Sequence, residues 1–272
     1  ADVTSEEERS SGMGKFGAAN NIGTILGPVL VGSLVGINIL NIDISGFGLL
    51  TPLIVMSVLM ASAACVVYVY LPNKTGELPN EDAASGIVFD TNLKTLLAIG
   101  TILFTAFAIV QSVTAYYVQD RFQYSLDETA KTTALLLGTM ALMAIISQLT
   151  LVQRYKGSPL NLIKFSVPFF ILSCIFIIIS PNFLFLYFGM AFMGLGMGLA
   201  SPGYTSAASL NASKDNQGAA VGIAMVAPGI GFALGPFLSG FLYTYSMNLP
   251  FIFILPLFIV LIFLIKKLEK IN

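Results

Sequence analysis

Residues 14–34 read GKFGAANNIGTILGPVLVGSL, and residues 222–242 read GIAMVAPGIGFALGPFLSGFL. At one offset (14 + 208 = 222) the two segments share ten identities over 21 positions. Gly14, Gly23, Gly27, Pro28 and Gly32 recur as Gly222, Gly231, Gly235, Pro236 and Gly240. Ala19, Ile22, Leu26, Leu30 and Leu34 recur as Ala227, Ile230, Leu234, Leu238 and Leu242. Shared apolar composition does not produce such a frame. In each copy the Ala and two Gly residues lie four apart, on one helix face, and small faces let helix backbones approach closely in lipid. Pro28 and Pro236 lack an N–H and crowd the preceding turn, which predicts a bend in each helix. One such stripe is ordinary packing. Two at a fixed offset predict a chain built from two related helical bundles, with a ligand site between them near the bilayer midplane.

Composition points to the same solvent. Of 272 residues, 56% are hydrophobic and 10% charged, and the mean hydropathy is +0.86. A soluble domain carries about 25% charged residues. A span needs about 20 mostly apolar residues, and eight stretches qualify: 13–38, 49–71, 94–118, 129–152, 160–179, 183–208, 218–245 and 250–265. The capping-box spacing of Ser125 and Glu128 marks the start of the fourth. The polar stretch 72–93 divides two spans from six. The expected organisation is therefore 1–71 as the last two helices of one bundle, 72–93 as a cytoplasmic linker and 94–272 as a second, six-helix bundle.

The distribution of Lys and Arg sets the expected topology. With the first residues cytoplasmic, Arg9, Lys15, Lys74, Lys94, Arg154, Lys156, Lys164, Lys214, Lys266, Lys267 and Lys270 fall inside and only Arg121 and Lys131 outside. Both termini then face the cytoplasm, which requires an even number of spans. The chain begins at Ala1 in a polar segment without a signal-peptide pattern, and reads as the middle of a protein.

Several chemistries are excluded. There is no histidine, and Cys65 and Cys174 sit far apart in apolar runs, so no metal spacing or disulfide framework is expected. No nucleophile–base pair or phosphate loop is present, and basic residues are too scattered for nucleic acid. No cofactor, no nucleic-acid partner and no enzymatic activity are expected.

The frame Gly14-x8-Gly23-x3-Gly27-Pro28-x3-Gly32 resembles the antiporter motif in the fifth helix of drug exporters of the major facilitator superfamily. The segment Ala1–Arg9 is similar to the preceding loop of that family. The resemblance covers the whole chain. It implies an all-α, polytopic membrane protein of the major facilitator fold, with eight of an expected twelve transmembrane helices present (helices five to twelve). The second glycine copy then falls in helix eleven, the symmetry mate of helix five. The resemblance further implies a monomer in the cell (inner or plasma) membrane that exports small amphipathic compounds or drugs in exchange for protons. Gln153-Arg154-Tyr155-Lys156 sits where a weaker copy of the family's signature loop would lie, but lacks its glycine–aspartate pattern.

An ionisable group deep in the membrane would be a functional candidate. All 14 acids fall in loops or near helix ends, and Asp120 is expected to pair locally with Arg121. The polar uncharged residues are better leads. Phe104, Phe107, Gln111 and Thr114 share one stripe of the third span. Met193, Met197, Ser201 and Tyr204 share one of the sixth. By the resemblance these helices line the central cavity, where Met and aromatic side chains suit varied ligands. Interhelical core is the competing reading. Asn20, Asn21 and Thr24 form the third candidate cluster. Gly194-Leu-Gly-Met-Gly198 and Ser201-Pro202-Gly203 read as a bendable helix. Two other functions share the scaffold: a carrier of a sugar or other metabolite, and a non-transporting membrane sensor or assembly protein.

Overall fold

The computed structural model describes residues 50–70, 91–210 and 222–271, with Gly23, Gly27 and the dipeptides Asn38–Ile39 and Ile42–Asp43. The dipeptides form a minimal antiparallel pair, β1 and β2, in register Asn38↔Asp43. All else that is regular is helical: α1 (Leu50–Tyr70), α2 (Thr91–Phe122), α3 (Leu126–Ser147, continued by a π-turn at Gln148–Val152), α4 (Pro159–Ile179), α5 (Phe183–Leu210), α6 (Val226–Tyr243) and α7 (Leu249–Ile271). Among the described residues, seven helices are long and apolar enough to cross a membrane. They correspond to the second through eighth expected spans. The first span and the linker core lie outside the described residues, apart from Gly23 and Gly27, which are helical, and Asn38, which is in β1.

The helices outrun the apolar stretches. α2 starts at Thr91, three residues before the expected Lys94, and runs four past Val118. It stops where Gln123 adopts φ 54°, with the Tyr124 N–H reaching back to the Gln119 carbonyl. α3 then opens on the expected capping box. The Glu128 N–H donates to Ser125 Oγ at 3.3 Å, and the Ser125 N–H donates to Glu128 Oε2 at 3.0 Å. Two of the four orphan N–H groups of a helix start are satisfied this way.

α5 is packed between α3 and α4, and α2 lies against α6 and α7. The fully buried side chains include Ile99 and Ile109 of α2, Leu136 of α3, Ile163 and Ile177 of α4, and Phe251 and Phe258 of α7. The outward residues are just as apolar: Phe237 is 72% exposed, Ile259 71% and Phe263 68%. Such a surface is compatible with lipid and not with water. Because lipid tails are as apolar as the core, the packing rests on close van der Waals fit and on hydrogen bonds rather than on hydrophobic burial.

One hydrogen-bonded clamp shows how helix ends are satisfied. Pro181 has no N–H, so the Ile177 carbonyl at the end of α4 loses its ordinary i+4 donor. The buried Tyr117 hydroxyl of α2 donates to it at 2.9 Å and lies 3.1 Å from Ser180 Oγ. Arg121 Nη2 donates to the Ser180 carbonyl at 3.1 Å, adding positive charge at the negative end of a helix dipole. Tyr117→Phe is expected to cost about 1–3 kcal/mol, the penalty for a buried unpaired carbonyl. A thermal unfolding curve in detergent checks this, and an unchanged midpoint would refute it.

Candidate substrate-facing site

The seventh expected span contributes a single narrow seam to the bundle. Its buried residues are Ala224, just ahead of α6, and then Ala227, Gly231, Gly235 and Ser239, a repeat of three to four residues made only of small side chains. The seam lies on α2. A Cβ built at Gly231 would stand 2.6 Å from Phe104 Cβ and 2.7 Å from the Phe104 carbonyl carbon. One at Gly235 would overlap Ala108 Cβ and stand 3.0 Å from the Ala108 carbonyl carbon. Among the described residues nothing lies within 4 Å of such a Cβ at Gly222 or Gly240, so two close contacts are seen in the five-position frame. Pro236 lies inside α6, which continues through it. In the first copy, a Cβ at Gly23 or Gly27 meets nothing within 4 Å among the described residues, while Gly14, Pro28 and Gly32 lie outside them.

The seam holds an aromatic cluster in place. Phe232 of α6 reaches over Phe104 (ring centroids 6.2 Å apart) and Phe107 (6.1 Å, edge-on), and Phe104 meets Tyr204 of α5 edge-on at 5.9 Å. The Tyr204 hydroxyl donates to the Ala224 carbonyl at 2.8 Å. Its ring lies so close to Gly100 that a Cβ there would overlap it.

The expected cavity-lining residues divide into buried and partly open ones. Phe104, Phe107, Thr114, Met193, Met197 and Tyr204 are buried among helices. Thr114 Oγ1 is turned back onto the Val110 carbonyl at 2.6 Å. The reason is that both stripes face neighbouring helices, and an apolar period of 3.6 cannot distinguish a packed face from a cavity wall. Gln111 and Ser201 are half-buried and retain an open side. Asn20, Asn21 and Thr24 lie outside the described residues. Sequence reasoning missed Phe232, which is 44% exposed and forms the outer layer of the cluster. A signal was present, because the 208-residue offset maps Thr24, a candidate, onto Phe232 (24 + 208 = 232).

At the other end of the α2–α6 contact the expected Asp120–Arg121 ion pair is replaced. Asp120 Oδ2 accepts from the Tyr243 hydroxyl at 2.7 Å, and Arg121 points to Ser180. Consecutive helical residues diverge by 100°, so neighbours in sequence find partners on different helices. The Gly194–Gly198 segment is tightly packed. α5 is continuous from Phe183 to Leu210, and these glycines admit close neighbours on two sides. Among the described residues no group of three or more His, Cys, Asp or Glu is placed to hold a metal.

Seven apolar, membrane-length helices among the described residues, six of them packed into one bundle, define a polytopic helical membrane protein. The sequence profile of the Major Facilitator Superfamily matches residues 1–167 and again residues 160–270, and the chain belongs to that family of secondary transporters. No curated protein matches the chain.

Proposed function

We propose that this transporter exports small amphipathic compounds by alternating access coupled to protons. The observation that supports this reading most is the duplicated glycine–proline frame, whose second copy forms the α6 seam against α2. The substrate wall is Gln111, Ser201 and the exposed ring of Phe232, backed by Phe104 and Phe107. Such a surface offers apolar area with few fixed polar contacts and so accepts varied ligands. In this reading α1 belongs to one bundle and α2–α7 form the other, corresponding to helices six and seven to twelve. Both termini are cytoplasmic, and the protein works as a monomer in the cell (inner or plasma) membrane. The described acids of α2–α7 lie at helix ends, so the proton-binding group is assigned to other helices. A carrier of a sugar or another metabolite fits the family equally well, and the dye assay below separates the two readings.

Expression of the complete reading frame in an efflux-deficient bacterium is expected to lower accumulation of a lipophilic cationic dye. A protonophore and the Gly27→Leu/Pro28→Leu double variant should each abolish the difference. Phe232→Ala is expected to weaken apparent dye affinity between about two- and tenfold, the worth of one aromatic contact. Unchanged accumulation in the wild type would remove cationic amphiphiles as substrates and leave the metabolite carrier. Flux of no substrate class would leave a sensor or assembly role.

A further inference from the structure

An apolar hollow on the described surface lies between α4 and α7. It is a groove of about 620 Å³ walled by Val167, Ile171, Leu172 and Ile262, with Lys164 and Lys266 at one end. A second groove of about 510 Å³ lies on the other side of α4, walled by Leu162, Phe169 and Leu199, with Tyr155 at its mouth. The two grooves share Lys164 and Pro168. These residues form a ridge with a cation at its top and an apolar channel on each flank.

We propose that this ridge binds one anionic glycerophospholipid, with its headgroup phosphate on Lys164 and Lys266 and one acyl chain in each groove. The charge balance supports this occupant. Lys164 pairs with Glu269, while Lys266 and Lys267 are exposed and have no ion pair among the described residues. Lys164 and Lys266 line the first groove, and against the Glu269 carboxylate they leave one net positive charge there. Both grooves have almost entirely apolar walls, which suits hydrocarbon and excludes a hydrated ligand along their length. Lys164 and Lys266 can keep their stems along this apolar surface while their ammonium groups reach the headgroup level. Basic pockets between transmembrane helices at the membrane surface select anionic headgroups, at about 1 kcal/mol per Lys. The grooves share no lining residue with the Phe232 and Gln111 wall, and the site does not depend on what the protein transports.

The test uses the chain purified in an uncharged detergent and phosphatidylglycerol or phosphatidylcholine with identical acyl chains. Native mass spectrometry reads retained lipid. The wild type is expected to retain phosphatidylglycerol in preference to phosphatidylcholine. The preference should fall roughly fivefold for each lysine removed, in Lys266→Gln and in Lys164→Gln/Lys266→Gln. Lys266→Gln breaks no ion pair, so its lipid-free melting point should equal that of the wild type. Ile262→Trp, which fills the first groove and keeps both lysines, should lower retention of both lipids alike. Equal retention of the two lipids by the wild type would overturn the proposal. So would an unchanged preference in Lys266→Gln, or full retention in Ile262→Trp.

Discussion

Gly235→Leu is expected to separate α6 from α2 and destabilise the protein by about 1–3 kcal/mol, while Gly240→Leu leaves it within about 0.5 kcal/mol of wild type. The two glycines belong to the same frame and lie five residues apart on the same helix. They differ in what a side chain would meet. At Gly235 the first obstacles are Ala108 Cβ, the Ala108 carbonyl carbon at 3.0 Å and the Ile109 nitrogen at 3.1 Å. Two of these are backbone atoms of α2 and cannot rotate away. At Gly240 nothing lies within 4 Å. Gly231→Leu should behave like Gly235→Leu, since its neighbours are the Phe104 carbonyl carbon at 2.7 Å and the Thr105 nitrogen at 2.8 Å. Melting curves in detergent give the comparison. Equal midpoints for the Gly235 and Gly240 variants would show that the seam is not where the helices are held. A compensating pair sharpens the test: Ala108→Gly removes the nearest atom, so it should recover part of the stability lost by Gly235→Ala.

The seam was legible in the sequence because close helix approach in lipid leaves a specific trace, small residues at a spacing of four. Its partner was not. The second copy packs on Phe104 and Ala108 of α2. A stripe holding a phenylalanine does not announce a close-approach face. Only Ala108 is small, and Phe104 contributes its backbone and Cβ. Span positions were legible from hydropathy, but their ends were not. Lys94, Asp120 and Arg121 end the apolar stretch yet remain in α2, because the backbone ladder continues until Gln123 turns left-handed. The membrane also explains why the cavity was hard to read. In water a buried stripe contrasts with a polar exposed one. Here Met193 in the core and Phe237 at the lipid face are equally apolar, so periodicity finds the faces and cannot rank them. The internal repeat carries more information than it first yielded, since it pairs Thr24 with Phe232 and so marks the one ring of the cluster that remains accessible.

Gly194→Ala is expected to have a larger effect than Gly235→Ala, although the added atom is the same. A Cβ at Gly194 would overlap the Met140 carbonyl oxygen and stand 2.9 Å from its carbon. One turn along, a Cβ at Gly198 would stand 2.5 Å from the Ala144 oxygen and 2.8 Å from Ser147 Cβ. Ser147 Oγ donates to the Leu195 carbonyl at 3.2 Å, which fixes the two helices in register. The difference lies in what surrounds each helix. α6 is buried along one seam and can retreat into lipid. α5 has α3 on one side and α4 on the other, and its second face is equally tight. A Cβ at Gly196 would stand 2.7 Å from the Phe170 ring, and one at Gly203 would stand 2.9 Å from the Pro159 carbonyl oxygen. A retreat from α3 therefore drives α5 into α4. With no direction of relief, the cost of Gly194→Ala should reach the upper end of the overpacking range, about 3 kcal/mol or more. The variant should express poorly or melt well below Gly235→Ala. A melting order with Gly194→Ala at or above Gly235→Ala would mean that α5 is free to shift, as expected of a bendable helix.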